Sequence, residues 1–173
     1  DLAMHKNTDA SVNKANREYI EELIARHVSG RLKVAPEHTS DAVLNVMRKP
    51  NFALFNEFKV IFDNVNRKHG LNQQLIPYFI SSHPGCHEAD MAELAVATKN
   101  LNFHLEQVQD FTPTPMTVST EAYYTGVHPY TLQPVFTAKS PKEKLAQRQY
   151  FCWYLQENKY DIIFLDHMMP ELD

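Results

Sequence analysis

Cysteine, glycine and long hydrophobic runs are all scarce in this sequence of 173 residues. The two cysteines, Cys86 and Cys152, lie far apart, so a zinc ribbon, a thioredoxin-like site and a disulfide framework are all unsupported. The four glycines form no phosphate-binding loop. No apolar run approaches the roughly 20 residues that span a bilayer, and the residues after Asp1 do not resemble a signal peptide. We therefore expect no membrane partner and a reducing, cytoplasmic location.

The charge balance gives no electrostatic reason for binding nucleic acid. The formal net charge is −4 and the sequence pI is about 6.1, whereas a nucleic-acid partner favours a basic surface. The apolar content of 43% and charged content of 22% are typical of a soluble globular chain. The length suits one domain or a piece of a larger protein.

Helical and strand-like patterns alternate along the chain. Apolar residues at helical spacing predict helices over residues 13–28, 41–47, 52–69, 88–101 and 141–159. Apolar or alternating runs predict strands over residues 31–35, 75–81 and 103–111. Residues 116–139 show little helical period and are predicted to be irregular. Helices between successive strands indicate an α/β fold with a parallel sheet.

Polar side chains gather where each predicted strand ends. Because ligands bind at the carboxyl ends of strands in barrel and open α/β folds, this edge is the predicted site. The alternative is that these residues cap helices and complete turns. The candidate binding residues are Glu37, His38, Ser81, Ser82, His83, Gly85, Gln109 and Asp110.

A metal site is a sharper hypothesis for the loop after the second strand. His83, Cys86, His87 and Asp90 supply metal-binding groups in a short segment, and Glu37 or His38 could add another ligand. A metal-dependent barrel hydrolase centred on the two histidines is therefore an alternative function. The spacing matches no recurrent zinc pattern, so a polar turn is the favoured interpretation and no metal ligand is assigned.

The end of the sequence suggests a third function. Residues 159–173 (KYDIIFLDHMMPELD) resemble the phosphoacceptor segment of a response-regulator receiver domain, with Asp166 at the acceptor position. The other acidic, hydroxyl and lysine residues of that family are not found at matching places. A signalling or interaction module that uses Asp166 is therefore an alternative.

Most of the chain resembles one family. The motifs that carry the resemblance are residues 19–23 (YIEEL), 27–30 (HVSG), 32–38 (LKVAPEH), 75–85 (LIPYFISSHPG), 107–111 (QVQDF) and 123–126 (YYTG). They resemble the YgiQ family of radical S-adenosylmethionine proteins, in the family's order and spacing from Asp1 to about Trp153.

The resemblance implies the C-terminal half of a TIM-like (β/α) barrel, with an irregular tail and a C-terminal helix. Residues 1–115 would be the partial barrel, residues 116–158 a family-specific extension, and residues 159–173 a divergent receiver-like tail. Enzymes of this kind bind a four-iron four-sulfur cluster through C-x-x-x-C-x-x-C, and they use S-adenosylmethionine to form a 5′-deoxyadenosyl radical.

The cluster motif is absent from this sequence. By the resemblance, the candidate residues lie where such barrels contact S-adenosylmethionine or the substrate. The expected function is thus a fragment of a radical enzyme of unassigned substrate, inactive alone and binding neither cofactor tightly. A half barrel exposes sheet edges, so its expected partner is the missing N-terminal half or a second copy.

Overall fold

The computed structural model describes residue 4 and residues 6–152. Six α-helices and a small sheet make up this part of the chain. The predicted α/β class is confirmed. The element order is α1 (Ala10–His27), β1 (Arg31–Glu37), α2 (Asp41–Met47), α3 (Phe52–His69), β2 (Gln74–Ser81), α4 (Glu88–Asn100), β3 (Gln107–Asp110), α5 (Val118–Thr125) and α6 (Pro141–Arg148), followed by a 3-10 turn (Gln149–Cys152).

The three strands form a parallel sheet in the order β1-β2-β3. Arg31 is in register with Gln74 at one end, and Ser81 is in register with Asp110 at the other. The register of β1 shifts between Val34 and Glu37. Such an irregularity bends a strand and redirects its side chains, here just before the end of β1.

One face of the sheet, here called the helix face, carries the hydrophobic core. Leu75 packs in a cluster with Ile20 and Ile24 of α1 and Phe62 of α3. Phe79, on the same side of β2 because side chains alternate along a strand, packs in a second cluster with residues of α2 and α4. Both core clusters therefore lie on the helix face.

The opposite side of the sheet, here called the open face, contributes no residue to either core cluster. Ile76 on this face is buried, but most of its neighbours in the three strands are exposed or half-buried. These neighbours include Lys33, Tyr78, Ile80, Gln107 and Gln109. Parallel sheets are normally covered on both faces, so the open face needs a covering from elsewhere.

The three largest differences between the predicted and the observed elements concern α5, β3 and α6. Residues 118–125 form α5 inside the segment predicted to be irregular, because Thr117 accepts a hydrogen bond from the Thr120 N–H and Gly126 ends the helix. The third strand is restricted to Gln107–Asp110, since residues 103–106 pair with no strand. The last helix ends at Arg148 and continues as the 3-10 turn, and the rest of its predicted span lies outside the described residues.

Candidate functional site

The ends of β1 and β2 share an unusual backbone feature. Glu37 has φ 69° and Ser82 has φ 60°, so two residues with side chains occupy the left-handed region. Each also has a buried oxygen, Glu37 Oε2 and Ser82 Oγ, without a hydrogen-bond partner. Strained backbone and unpaired buried polar atoms both cost stability and cluster at binding sites. The two strand ends therefore form the core of the candidate site.

Glu37 is held by a single ion pair. Its Oε1 lies 3.3 Å from Lys49 Nζ, and its side chain is 15% exposed. Burial raises the pKa of the neighbouring Tyr78 phenol, and the negative charge of Glu37 raises it further. The second carboxylate oxygen of Glu37, Oε2, is buried and has no hydrogen-bond partner among the described residues.

Asp110 links the ends of β2 and β3. It accepts a short hydrogen bond from the Ser81 hydroxyl, and its other oxygen lies 3.7 Å from Arg148 of α6. The Asp110 side chain is 27% exposed, so the pair is accessible from solvent. Arg148 brings a cation to this edge of the sheet.

Amide side chains occupy the open face beside this edge. Tyr78 donates a short hydrogen bond to Gln109. Lys33 Nζ lies 3.5 Å from Gln107 Oε1, and Lys33 does not pair with Glu37, which instead contacts Lys49.

His38 is fully buried and has a structural role in one fixed tautomer. Its Nδ1 accepts the Ser40 N–H at 3.0 Å, so the proton of the neutral ring lies on Nε2, which is 3.5 Å from Cys86 Sγ. Burial lowers the pKa of His38 to about 4 and raises the pKa of the Cys86 thiol to about 12. The pair is therefore neutral, and Cys86 is not an activated nucleophile.

His83 is buried in the opposite tautomer. Its Nδ1 lies 2.8 Å from the Pro84 carbonyl and must carry the proton, so its Nε2 accepts the Ser119 hydroxyl at 2.8 Å. The ring also meets the Phe111 ring edge-on. Burial lowers the pKa of His83 to about 4. His83 thereby anchors α5 to the end of β2.

The loop after β2 is also anchored to α6. The Gln147 side chain accepts the Ser82 N–H at 2.7 Å and donates to the Cys86 carbonyl at 2.7 Å. The Gly85 N–H donates to the Phe136 carbonyl at 2.8 Å. Gly85 has φ 87°, and a Cβ there would meet Val46 Cγ2 at 3.0 Å, so this position requires glycine.

The metal hypothesis has no geometric support in the part of the chain that is described. Within residues 6–152, no three His, Cys, Asp or Glu side chains are placed to hold a metal ion. Asp90 instead accepts hydrogen bonds from the Ser40 hydroxyl and the His87 N–H, where it caps α4. Asp166 lies outside the described residues.

The structure thus divides the predicted site residues into two groups. His38, Ser82 and His83 are buried, and together with the half-buried Gly85 they join the strand ends to each other and to the C-terminal elements, although Ser82 keeps an unpaired hydroxyl. Glu37, Gln109 and Asp110, with Ser81 behind Asp110, face accessible space. Sequence reasoning missed the partners of this second group, Tyr78, Lys49 and Arg148. Only Tyr78 had a sequence indication, as a polar residue within a buried strand.

The class of protein is indicated first by a family model. Residues 106–164 match the family described as Domain of unknown function (DUF3362). This match begins just before β3 and includes α5 and α6. The elements that cover the end of β2 therefore belong to a recurring sequence unit.

Whole-chain similarity points to UPF0313 proteins. A UPF0313 protein of Bacteroides thetaiotaomicron is 68% identical over 163 residues, which are 94% of this chain and 26% of that protein. Another, of Porphyromonas gingivalis, is 64% identical over 157 residues, or 91% of this chain and 25% of that protein. A third, of Methanosarcina mazei, is 43% identical over 149 residues, which are 86% of this chain and 24% of that protein.

The chain therefore spans about a quarter of the length of the curated relatives it matches. UPF0313 is the YgiQ-like family, so the resemblance predicted from the motifs is confirmed at that level. The expectation that the chain is a fragment is consistent with these lengths. In the part of the chain that is described, no helix has the length and apolarity needed to cross a membrane.

Proposed function

We propose that this chain is part of a radical S-adenosylmethionine enzyme and forms one section of its β/α barrel. The observation that carries the proposal is a parallel sheet with its helices and core on one face and polar groups at the carboxyl ends of its strands. In a β/α barrel, helices likewise cover the outer face of a parallel sheet, and the loops at the carboxyl ends of the strands line the mouth. The motif resemblance implies radical S-adenosylmethionine chemistry. The greater length of the relatives supports the proposal that the chain belongs to a longer protein.

The residues present here do not fit an iron–sulfur cluster. Such a site needs three thiolates in this class of enzyme, whereas the chain contains two cysteines. Cys86 is buried against His38, and its thiol pKa is raised. The cluster ligands must therefore belong to another part of the longer protein, and this chain alone is expected to be inactive.

The strand ends do fit a polar cofactor or substrate. Glu37 carries a carboxylate that is 15% exposed at this edge, whereas its unpaired Oε2 and the unpaired Ser82 hydroxyl are buried. Asp110 and Gln109 add acceptors, and Arg148 adds a cation. S-adenosylmethionine carries amino, carboxylate and ribose hydroxyl groups that suit these partners. When bound with the cluster, it supplies hydrogen-atom abstraction from a substrate.

Anaerobically purified longer protein with a reconstituted cluster tests the proposal. With dithionite as reductant, it should cleave S-adenosylmethionine to 5′-deoxyadenosine, which is measured by chromatography. Glu37→Gln should weaken S-adenosylmethionine binding, because it removes the charge of an acceptor at the candidate site.

Glu106→Gln is the matched control. Glu106 pairs with Arg31 near the opposite ends of the strands, and both side chains are exposed. It should leave cofactor binding unchanged. Absence of an iron–sulfur absorption spectrum and of 5′-deoxyadenosine from the longer protein would refute the proposal.

A further inference from the structure

Two lysine ammonium groups lie over one aromatic ring in the C-terminal part of the described chain. Lys139 Nζ is 5.7 Å and Lys144 Nζ is 5.6 Å from the centre of the Tyr123 ring. Lys139 Nζ also donates a hydrogen bond to the Tyr124 carbonyl at 3.2 Å. Because the face of an aromatic ring attracts a cation, the Tyr123 ring restricts where both positive charges lie.

Neither ammonium group pairs with a carboxylate among the residues that the structure describes. Glu143 directly precedes Lys144, but its carboxylate accepts hydrogen bonds from the N–H and hydroxyl of Ser140, where it completes the cap of α6. By contrast, Lys14 and Lys59 on other helices each pair with an acidic residue four positions later. Two like charges beside one ring repel each other, so an anion that contacts both would stabilise the arrangement.

The segment that carries these lysines is basic, although the chain as a whole is acidic. Residues 111–152 contain four basic and two acidic residues, whereas the formal net charge of the chain is −4. This basic segment meets the candidate site at two points. Arg148 lies 3.7 Å from Asp110, and the Tyr123 ring packs 5.6 Å from the ring of Phe111, the residue after Asp110. The lysine pair therefore adjoins the strand ends.

We propose that Lys139 and Lys144 bind the phosphate group of a phosphomonoester substrate. A phosphomonoester carries about −1.5 to −2 charges at pH 7 and has three acceptor oxygens, so it matches two ammonium groups. A carboxylate or a phosphodiester carries one charge and would neutralise only one of them. S-adenosylmethionine has no phosphate, so the pair is assigned to the substrate. The assignment to a substrate rests on the proposed function, whereas the binding of phosphate does not.

A titration of the longer protein followed by ³¹P NMR tests the charge match. The two probes are methyl phosphate, a monoester, and dimethyl phosphate, a diester, at one fixed ionic strength because salt screens exposed charges. Methyl phosphate should bind about fivefold more tightly, since the second ammonium group pairs only with the second charge. Equal affinities, or no binding of methyl phosphate, would overturn the proposal.

Matched substitutions on α6 of the longer protein test the location. Lys144→Gln should weaken binding of methyl phosphate about fivefold, and Lys139→Gln should have a similar effect. The control is Lys142→Gln, which removes the same charge from an exposed position two residues before Lys144 and should leave the affinity unchanged. Equal losses for Lys142→Gln and Lys144→Gln would overturn the proposal, because they would show that net charge alone attracts the anion.

Competition with the cofactor distinguishes a substrate site from a cofactor site. A saturating concentration of S-adenosylmethionine should leave the affinity for methyl phosphate unchanged, and displacement of the probe would overturn the proposal. Binding of methyl phosphate by a longer protein that forms no 5′-deoxyadenosine would refute the radical chemistry but not the phosphate site. Formation of 5′-deoxyadenosine without binding of methyl phosphate would overturn this inference alone.

Discussion

Gln147 is predicted to stabilise the chain well beyond what its position on a surface helix suggests. It is almost fully buried and joins two backbone groups in the loop after β2, the Ser82 N–H and the Cys86 carbonyl. Gln147→Ala would leave both groups buried and unpaired. Each lost partner costs about 1–3 kcal/mol, so the free energy of unfolding should fall by about 2–6 kcal/mol.

Urea unfolding followed by circular dichroism, at one fixed protein concentration, measures this loss. The control is Gln149→Ala, which changes the same side chain at an exposed position two residues later. It should alter the free energy of unfolding by no more than about 0.5 kcal/mol. Gln147→Glu should fall between them, since a carboxylate still accepts the Ser82 N–H but cannot donate to the Cys86 carbonyl.

A loss below about 1 kcal/mol for Gln147→Ala would refute the reasoning, because it would mean that water satisfies both backbone groups. Equal losses at Gln147 and Gln149 would refute it as well. They would show that helix propensity, and not the two hydrogen bonds, determines the effect.

Three further predictions concern buried groups. The two buried imidazoles have pKa values of about 4 in the folded chain against 6.5 unfolded, so the unfolded state binds more protons between these values. Their stabilisation is complete above pH 6.5 and is lost as pH falls toward 4. Between pH 7.5 and 5 the free energy of unfolding should fall by about 2 kcal/mol for each imidazole, which urea unfolding should show and His38→Gln should reduce. Gly85→Ala should destabilise more than Gly70→Ala in thermal melts, because both have positive φ but only the first brings a Cβ to 3.0 Å from a neighbour. In a Cys152→Ser variant, Cys86 should react with iodoacetamide at pH 8 only after unfolding, since burial raises its thiol pKa to about 12. Equal results for the two compared states in urea unfolding, thermal melting or alkylation would contradict the corresponding prediction.

The regular elements were predictable because the apolar residues that recur at helical or strand spacing are also the residues that pack in the core. The helices Asp41–Met47 and Phe52–His69 have the bounds that the sequence predicts, since the phenylalanines of the second recur at helical spacing and face one cluster. The helix Val118–Thr125 was missed because its side chains lack that period. Its start at Thr117 and its end at Gly126 were the available indications.

The site was predictable only in part, because sequence places residues at strand ends but not their partners. Parallel strands bring Glu37, Ser81 and Asp110 to one edge, as expected. Which of the candidates are buried depends on residues far along the chain. Examples are Ser119, whose hydroxyl contacts His83, and Gln147, whose side chain accepts the Ser82 N–H. Those long-range contacts have no local sequence pattern.

The pairing of β1 with β2 also affects the order in which the molecule can be built. Arg31 pairs with Gln74 and Tyr78 pairs with Gln107, so a complete helix separates the two members of every pair. During synthesis from the amino terminus, α1, β1 and α3 leave the ribosome before β2, the described strand that pairs with β1. Packing of α1 against α3 can cover the apolar side of β1 during this interval, so the two helices stabilise the growing chain as well as the finished fold.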